Sequence, residues 1–203
     1  MKNYLLAHGF GFTNDYWQNL VPQLNGNIHF LSDPNLDKEK TYIGIGHSLG
    51  FLKLNNSGLK FEALVALQGF LNFCGSSVRM QKIREAGIAK VRDRVLTNKN
   101  ESLRQFRTFC GYDKEVKTDI PLQILLDELK MMENRYEHCG VKTLVIGSAD
   151  DVIVPMSIIN DNFSKLSNTT ILQLDYAKHA LGYIKSQIVV EKIREFCVLN
   201  ITN

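Results

Sequence analysis

The ten residues TYIGIGHSLG, 41 to 50, constrain this chain more than any others, because they set a serine between two glycines directly after a run of strand-forming residues. Gly46-His47-Ser48-Leu49-Gly50 fits the pattern G-x-S-x-G, in which the serine occupies a sharp turn from strand to helix and lifts its hydroxyl above the sheet edge. Such a turn holds the serine backbone in a strained conformation, and a side chain two residues to either side would collide with it. The flanks agree: Tyr42, Ile43 and Ile45 suit a strand, and Leu49, Phe51, Leu52 and Leu54 suit a short helix packing back on the sheet. An ordinary glycine-rich turn would satisfy the same five residues, so the partners of Ser48 must decide.

A serine hydroxyl is a weak nucleophile near neutral pH and needs a positioned base, itself oriented by a third group. Of the five histidines, His8 and His47 fall in turns, His29 in a strand and His138 at the end of a helical pattern. His179 stands in Asp175-Tyr-Ala-Lys-His-Ala180, just past a strand candidate and before the last helical pattern. That is the carboxyl edge, where open α/β sheets place their chemistry. The acid is expected after a strand lying between serine and histidine, and TLVIGSADDVIVP supplies Asp150 and Asp151 there. Neighbours leave an extended segment on opposite sides, so only one can face the imidazole. Either could instead cap the helix that follows. An oxyanion hole needs two backbone N–H groups, for which Leu49, after the serine, and Phe10, in the loop His8-Gly9-Phe10-Gly11, are the candidates. That loop lacks both the dinucleotide spacing and the lysine of a phosphate-binding loop.

Strand patterns recur at 4–7, 28–31, 42–45, 63–67, 143–146 and 170–174, with helical patterns between them, clearest over 15–24 and 188–197. This alternation predicts an α/β fold with a mostly parallel sheet. From 70 to 140 no strand signal appears, whereas three segments (about 78–96, 102–109 and 120–137) have helical periodicity. That is too long for one crossover and predicts a helical lid inserted in a core made of 1–69 and 141–203. The 203 residues suffice for one such domain. No apolar run reaches the length of a membrane span, and the opening MKNYLLAHGFGF is too short in its apolar part to be a signal peptide. Four scattered cysteines with no C-x-x-C pair indicate neither a metal site nor a disulfide framework, and suit reduced thiols in the cytoplasm.

Ser48, then an aspartate at 150 or 151, then His179 is the chain order of the α/β-hydrolase family, and LLAHGFGFTNDYW, GHSLG, TLVIGSADDVIVP and AKHALGYI each resemble its landmarks. The resemblance implies a trimmed α/β-hydrolase fold that lacks the usual first two strands and the helix before the nucleophile strand, with Phe51 replacing a small residue after the serine turn. Aligning the aspartate four residues before a Val-Pro proline selects Asp151; counting three residues on from a glycine selects Asp150. The first keeps both TLVI and Val154-Pro155 in register. Within the family, the HGFGFTNDYW loop and the helical insertion look most like the pimeloyl-acyl-carrier-protein methyl ester esterases of biotin synthesis. The resemblance therefore implies a serine carboxylesterase with Ser48 as nucleophile, His179 as base, Asp151 as acid, and Phe10 and Leu49 as oxyanion donors. It needs neither cofactor nor metal. Thioesterases and a lyase of menaquinone synthesis share similar loops, and a non-catalytic binding protein could retain the same fold.

Charge is unevenly placed. Residues 76–107 carry nine basic and three acidic side chains, whereas the whole chain has a net charge of only +3. A solvated helix face would account for this. An acidic acyl-carrier protein would give it a use, and Arg104 and Arg107, three residues apart, are the expected substrate-side contacts. No nucleic acid or membrane partner is expected.

Overall fold

The computed structural model describes residues 1–115 and 119–201. Its frame is a six-stranded sheet of β1 (Lys2–Ala7), β2 (Gly26–Phe30), β3 (Thr41–His47), β4 (Lys60–Leu67), β5 (Thr143–Ser148) and β6 (Thr169–Leu174). The order across the sheet is β2-β1-β3-β4-β5-β6, and every neighbouring pair is parallel. Parallel strands are covered on both faces and so read as continuous apolar runs, of which ALVAL in β4 and TLVI in β5 are the clearest. Those strands, with β3, form the buried centre. The edge strands β2 and β6 stay half-exposed.

Alternation along the strands feeds two cores. Leu5, Ala7, Leu64, Ala66 and Val145 point to the face covered by α1 (Leu49–Asn55) and α5 (Met156–Phe163). Leu6, Ile45, Val65 and Leu144 point to the opposite face, covered by α6 (Leu181–Ile184) and α7 (Ser186–Ile201). Between β4 and β5 the chain leaves the sheet and forms α2 (Val78–Thr97), α3 (Lys99–Cys110) and α4 (Leu122–Met132). Residues 116–118 of this insertion lie outside the described residues. Its two ends are pinned together: Asn72 bridges Arg135, and the Asn162 side chain on α5 accepts from the N–H of Leu71 at 2.7 Å.

The expected helix over 15–24 is not one helix. Two 3-10 turns, Asn14–Trp17 and Val21–Gln23, take its place, because Pro22 offers no N–H to continue an α-helical ladder. Tyr16, Trp17 and Leu20 are nevertheless buried, which is what their apolar spacing reported. The expected helix over 120–137 is shorter, starting after Pro121. Residues 31–40 form turns without a helix, tied by the Tyr42 hydroxyl donating to the Asp37 carbonyl at 2.7 Å. No helix among the described residues is long and apolar enough to cross a membrane.

Candidate active site

Ser48 is the single residue between the end of β3 and the start of α1, with φ 54° and ψ −124°. A side chain held at such a backbone conformation carries strain of about 1–3 kcal/mol, so the surroundings must enforce it. They do so through hydrogen bonds and close packing. The Ser48 N–H donates to the Leu67 carbonyl at 2.8 Å, and its carbonyl accepts from Phe51 N–H at 3.1 Å. A Cβ on Gly46 would lie 2.3 Å from Phe51 Cα, and one on Gly50 would lie 1.9 Å from the Ala7 carbonyl oxygen. Only glycine fits at either place. Phe51 itself is fully buried and packs edge-on against Phe163 at 5.6 Å, so α1 accommodates the large residue on the side of α5.

Asp151 follows β5 and is buried with His179; each is 2% exposed. Its Oδ1 accepts from the N–H groups of Ile153 and Val154 at 2.8 and 3.1 Å, which fixes the carboxylate plane. Its Oδ2 lies 2.7 Å from His179 Nδ1. That contact assigns the Nδ1 proton to the Asp151 side and leaves Nε2 of the neutral ring as a proton acceptor. The His179 ring lies 4.9 Å from the ring of His47, the residue before Ser48. No hydrogen bond joins Ser48 to His179 among the described residues. Asp150 turns the other way. Its Oδ1 accepts from the Ser148 hydroxyl at 2.5 Å and from the N–H groups of Ala177 and Lys178 at 3.0 and 3.2 Å. Desolvation works against its charge, but these three donors outweigh it and hold the carboxyl below the usual carboxylate range.

The segment carrying His179 is strained, with φ 55° at Tyr176 and 45° at Lys178, and it is held by side chains whose supporting role the sequence does not show. Asp150 anchors its start. Gln68, the residue after β4, with φ 52°, donates to the Lys178 carbonyl and accepts from Leu181 N–H at 3.2 Å. His47 donates through Nε2 to the carbonyl of His179 at 2.9 Å and stacks on Tyr16 at 4.2 Å. Burial pushes the His47 imidazole well below its ordinary pKa, which keeps it neutral. The one sequence signal for Gln68 is its position as a lone polar residue closing the run ALVAL.

Phe10 sits in the loop after β1, where a Cβ on Gly9 would come within 2.9 Å of Ser48 Cβ. The amide N–H groups of Phe10 and Leu49 make no hydrogen bond among the described residues. Above Ser48 opens a cavity of about 670 Å³ between the sheet and α2, α3 and α4. Phe10, Ser48, Ile88, Phe106, Leu129 and Ile153 are among its lining residues, and no aspartate or glutamate is. Asp151 and His179 are not among its lining residues. The lid is tied over it by the Lys53–Glu128 ion pair at 2.5 Å.

The two arginines expected to make a joint contact are already engaged within the chain. Arg104 is exposed but holds Glu101 bidentately, at 2.8 and 2.6 Å. Arg107 is 9% exposed and donates through Nε to the Gly11 carbonyl at 2.6 Å. Both border a second cavity of about 580 Å³. Only Arg104 faces solvent, because α3 turns Arg107 onto the loop after β1. Among the described residues no group of histidine, cysteine, aspartate and glutamate is arranged to hold a metal ion.

No family model and no curated protein sequence matches the chain. Solved structures do. A thermophilic esterase from Thermogutta terrifontis aligns at TM-score 0.69 and 13% identity, over 97% of this chain and 89% of that one. A lipase-esterase related protein from Clostridium acetobutylicum aligns at 0.68 and 14%, over 96% and 94%. The chain has the α/β-hydrolase fold. MenH from S. aureus aligns at 0.65 and 12%, over 99% and 95%, so the likeness to α/β-hydrolases spans sheet and lid together. Along that sheet Ser48 follows β3, Asp151 follows β5 and His179 follows β6, all at the carboxyl ends of parallel strands.

Proposed function

We propose that this α/β-hydrolase is a serine esterase acting on carboxylic acyl esters. The observation that carries the reading is the strained Ser48 turn opening into an apolar cavity and backed by the buried Asp151–His179 pair. In this reading Ser48 Oγ attacks the ester carbonyl while His179 Nε2 takes its proton, and Asp151 holds the imidazole tautomer and stabilises the imidazolium. The Phe10 and Leu49 N–H groups, unpaired within the described chain, receive the oxyanion. His179 then returns the proton to the departing alcohol, and water releases the acyl group by the same steps in reverse. No step calls for a metal or organic cofactor.

The finer reading is a methyl ester carried on an acidic acyl-carrier protein, as in the pimeloyl esterases that the sequence resembles. Its support is the apolar cavity under a lid whose 76–107 segment is strongly basic. The internal pairing of Arg104 and the burial of Arg107 leave that support to the overall field of the lid rather than to those two contacts.

The test is stoichiometric labelling by a fluorophosphonate, together with hydrolysis of a series of neutral esters and their thioesters. Wild type should label and turn over. Ser48→Ala should do neither, with the rate down on the order of 10³-fold or more and the unfolding transition retained. Hydrolysis of thioesters alone would make the chain a thioesterase. Absence of labelling and turnover alike would leave the fold serving a binding role.

A further inference from the structure

Arg84 lies on the second turn of α2 and borders the same cavity as Ser48. Its guanidinium stands 4.8 Å over the Phe73 ring, and Nη1 donates to the Ile153 carbonyl at 2.8 Å. That uses one of five donors. Nε is shielded from solvent without a partner, and Nη2 makes no hydrogen bond among the described residues. An arginine presents Nε and Nη2 along one edge, and two parallel bonds from that edge match the two oxygens of a carboxylate. The chain itself shows this arrangement at Arg104, whose Nε and Nη2 hold Glu101. At Arg84 the edge has no such partner. No ion pair to Arg84 occurs among the described residues, no acidic side chain lines the cavity, and the nearby Asp151 is committed to His179 and two backbone amides. A second cation, Arg94, lines the cavity further along α2.

A shielded donor left unmade costs stability unless something else meets it. A cation fixed against an aromatic ring in an apolar chamber is costly to desolvate for the same reason. The chamber that pays this cost opens onto the proposed nucleophile. We propose that Arg84 receives a free carboxylate on the substrate, so that the preferred ester is the half-ester of a linear dicarboxylic acid. The inference rests on the esterase reading of Ser48 but not on any carrier protein. The ester carbonyl sits at Ser48, the methylene arm follows the apolar wall, and the distal carboxylate pairs with the Arg84 guanidinium through Nη2, the nitrogen of that edge that is not shielded. A neutral diester of the same acid fills the same space and lacks the charge.

Two measurements separate this inference from the reading it rests on. The first is hydrolysis of monomethyl and dimethyl esters of C5 to C9 dicarboxylic acids by wild type, Arg84→Gln and Arg84→Lys. In wild type the half-ester of the fitting length should exceed its diester in kcat/KM by about tenfold or more, the value of one charge-assisted pair. That ratio should collapse toward one in Arg84→Gln and recover in part in Arg84→Lys. Using the ratio removes any general loss that arises because Arg84 also braces Ile153. Turnover of diesters at least as good as half-esters would overturn the carboxylate site and leave the esterase standing. The second is calorimetric binding of the free C5 to C9 dicarboxylates to Ser48→Ala, which needs no turnover. Binding that disappears with a further Arg84→Gln supports the site even if no ester is hydrolysed. Failure to bind any dicarboxylate, or binding unaffected by Arg84→Gln, overturns it.

Discussion

At the scale of single residues, the two adjacent aspartates divide the work by which way each side chain leaves β5. In Asp151→Asn, Oδ1 can still accept from Ile153 and Val154, so the loop keeps its shape. The new NH₂ then faces His179 Nδ1 and favours the tautomer with its proton on Nε2, where no serine proton can be accepted. Esterase turnover should fall on the order of 10³- to 10⁴-fold with little change in the unfolding midpoint. Asp150→Asn retains an acceptor for Ala177 and Lys178 and should cost far less turnover; the reverse ranking would give Asp150 the acid role. A second residue-scale consequence concerns pH. Burial lowers the pKa of His47 well below its ordinary value, of His8 to about 4 and of His138 in the same direction. In the unfolded chain each returns to about 6.5. Below that pH the unfolded state therefore takes up protons that the folded state refuses, and stability must fall as pH falls from about 6.5 toward 4. The urea midpoint should drop steadily over that range. Histidine NMR signals showing His47 and His8 titrating below the ordinary imidazole range would identify the cause, and a flat midpoint would contradict it.

At the scale of elements, α2 is a poorly buried helix with an unused opportunity. Of its twenty residues only Ile88 and Val95 are buried, and Gly87 sits mid-helix where a Cβ would meet nothing within 4 Å. Gly87→Ala should raise stability by about 0.5–1 kcal/mol through helix propensity alone, measured as a higher urea midpoint. Because Gly87 also borders the cavity, Gly87→Phe should shift ester preference toward shorter acyl chains, and an unshifted profile would place the acyl arm elsewhere. Elements also differ in how well the sequence reports them. The six strands were legible because a parallel strand covered on both faces must be apolar throughout, as at 63–67 and 143–146, and the Ser48 turn was legible because only glycine fits at 46 and 50. The segment 15–24 misled because buried residues in two short turns have nearly the spacing of a helix face. Gln68 and Asp150 were not legible as supports of the His179 loop, since their partners lie far along the chain and depend on positive φ angles that composition does not encode. Arg107 misled for a related reason: a count of charges treats every arginine as exposed, and this one is turned inward onto the Gly11 carbonyl.

At the scale of the whole molecule, the chain consists of a sheet whose centre is sealed on both faces and an inserted helical segment in which α2 is the least buried long helix. The last four residues of β4, Leu64 to Leu67, are buried and paired with strands on both sides, so their amides can exchange only when the sheet comes apart. The lid leaves after β4 and returns before β5, with its ends pinned at Asn72 and Arg135, so α2 can lift without breaking any strand pairing. The ties of α2 and its neighbours to the body include the Arg84–Ile153 bond, the Lys53–Glu128 pair through α4, the Arg107–Gly11 and Ala180–Cys110 bonds at α3, and packing such as Phe10 on Phe106 and Tyr112 on Phe12. Lifting of α2 would widen the cavity that it borders. Native-state hydrogen exchange should therefore show α2 amides opening at a free energy well below the global value, while β3 and β4 exchange only by global unfolding. An alkyl phosphonate attached to Ser48 would fill the cavity and give the lid new apolar contacts, so it should slow exchange in α2 selectively, and more so with a longer alkyl chain. Equal protection of α2 and β4 in the free protein would mean that lid and sheet form one cooperative unit and that substrate enters without lifting the lid. Slowing that appears in the sheet but not in α2 would place the alkyl chain outside the cavity altogether.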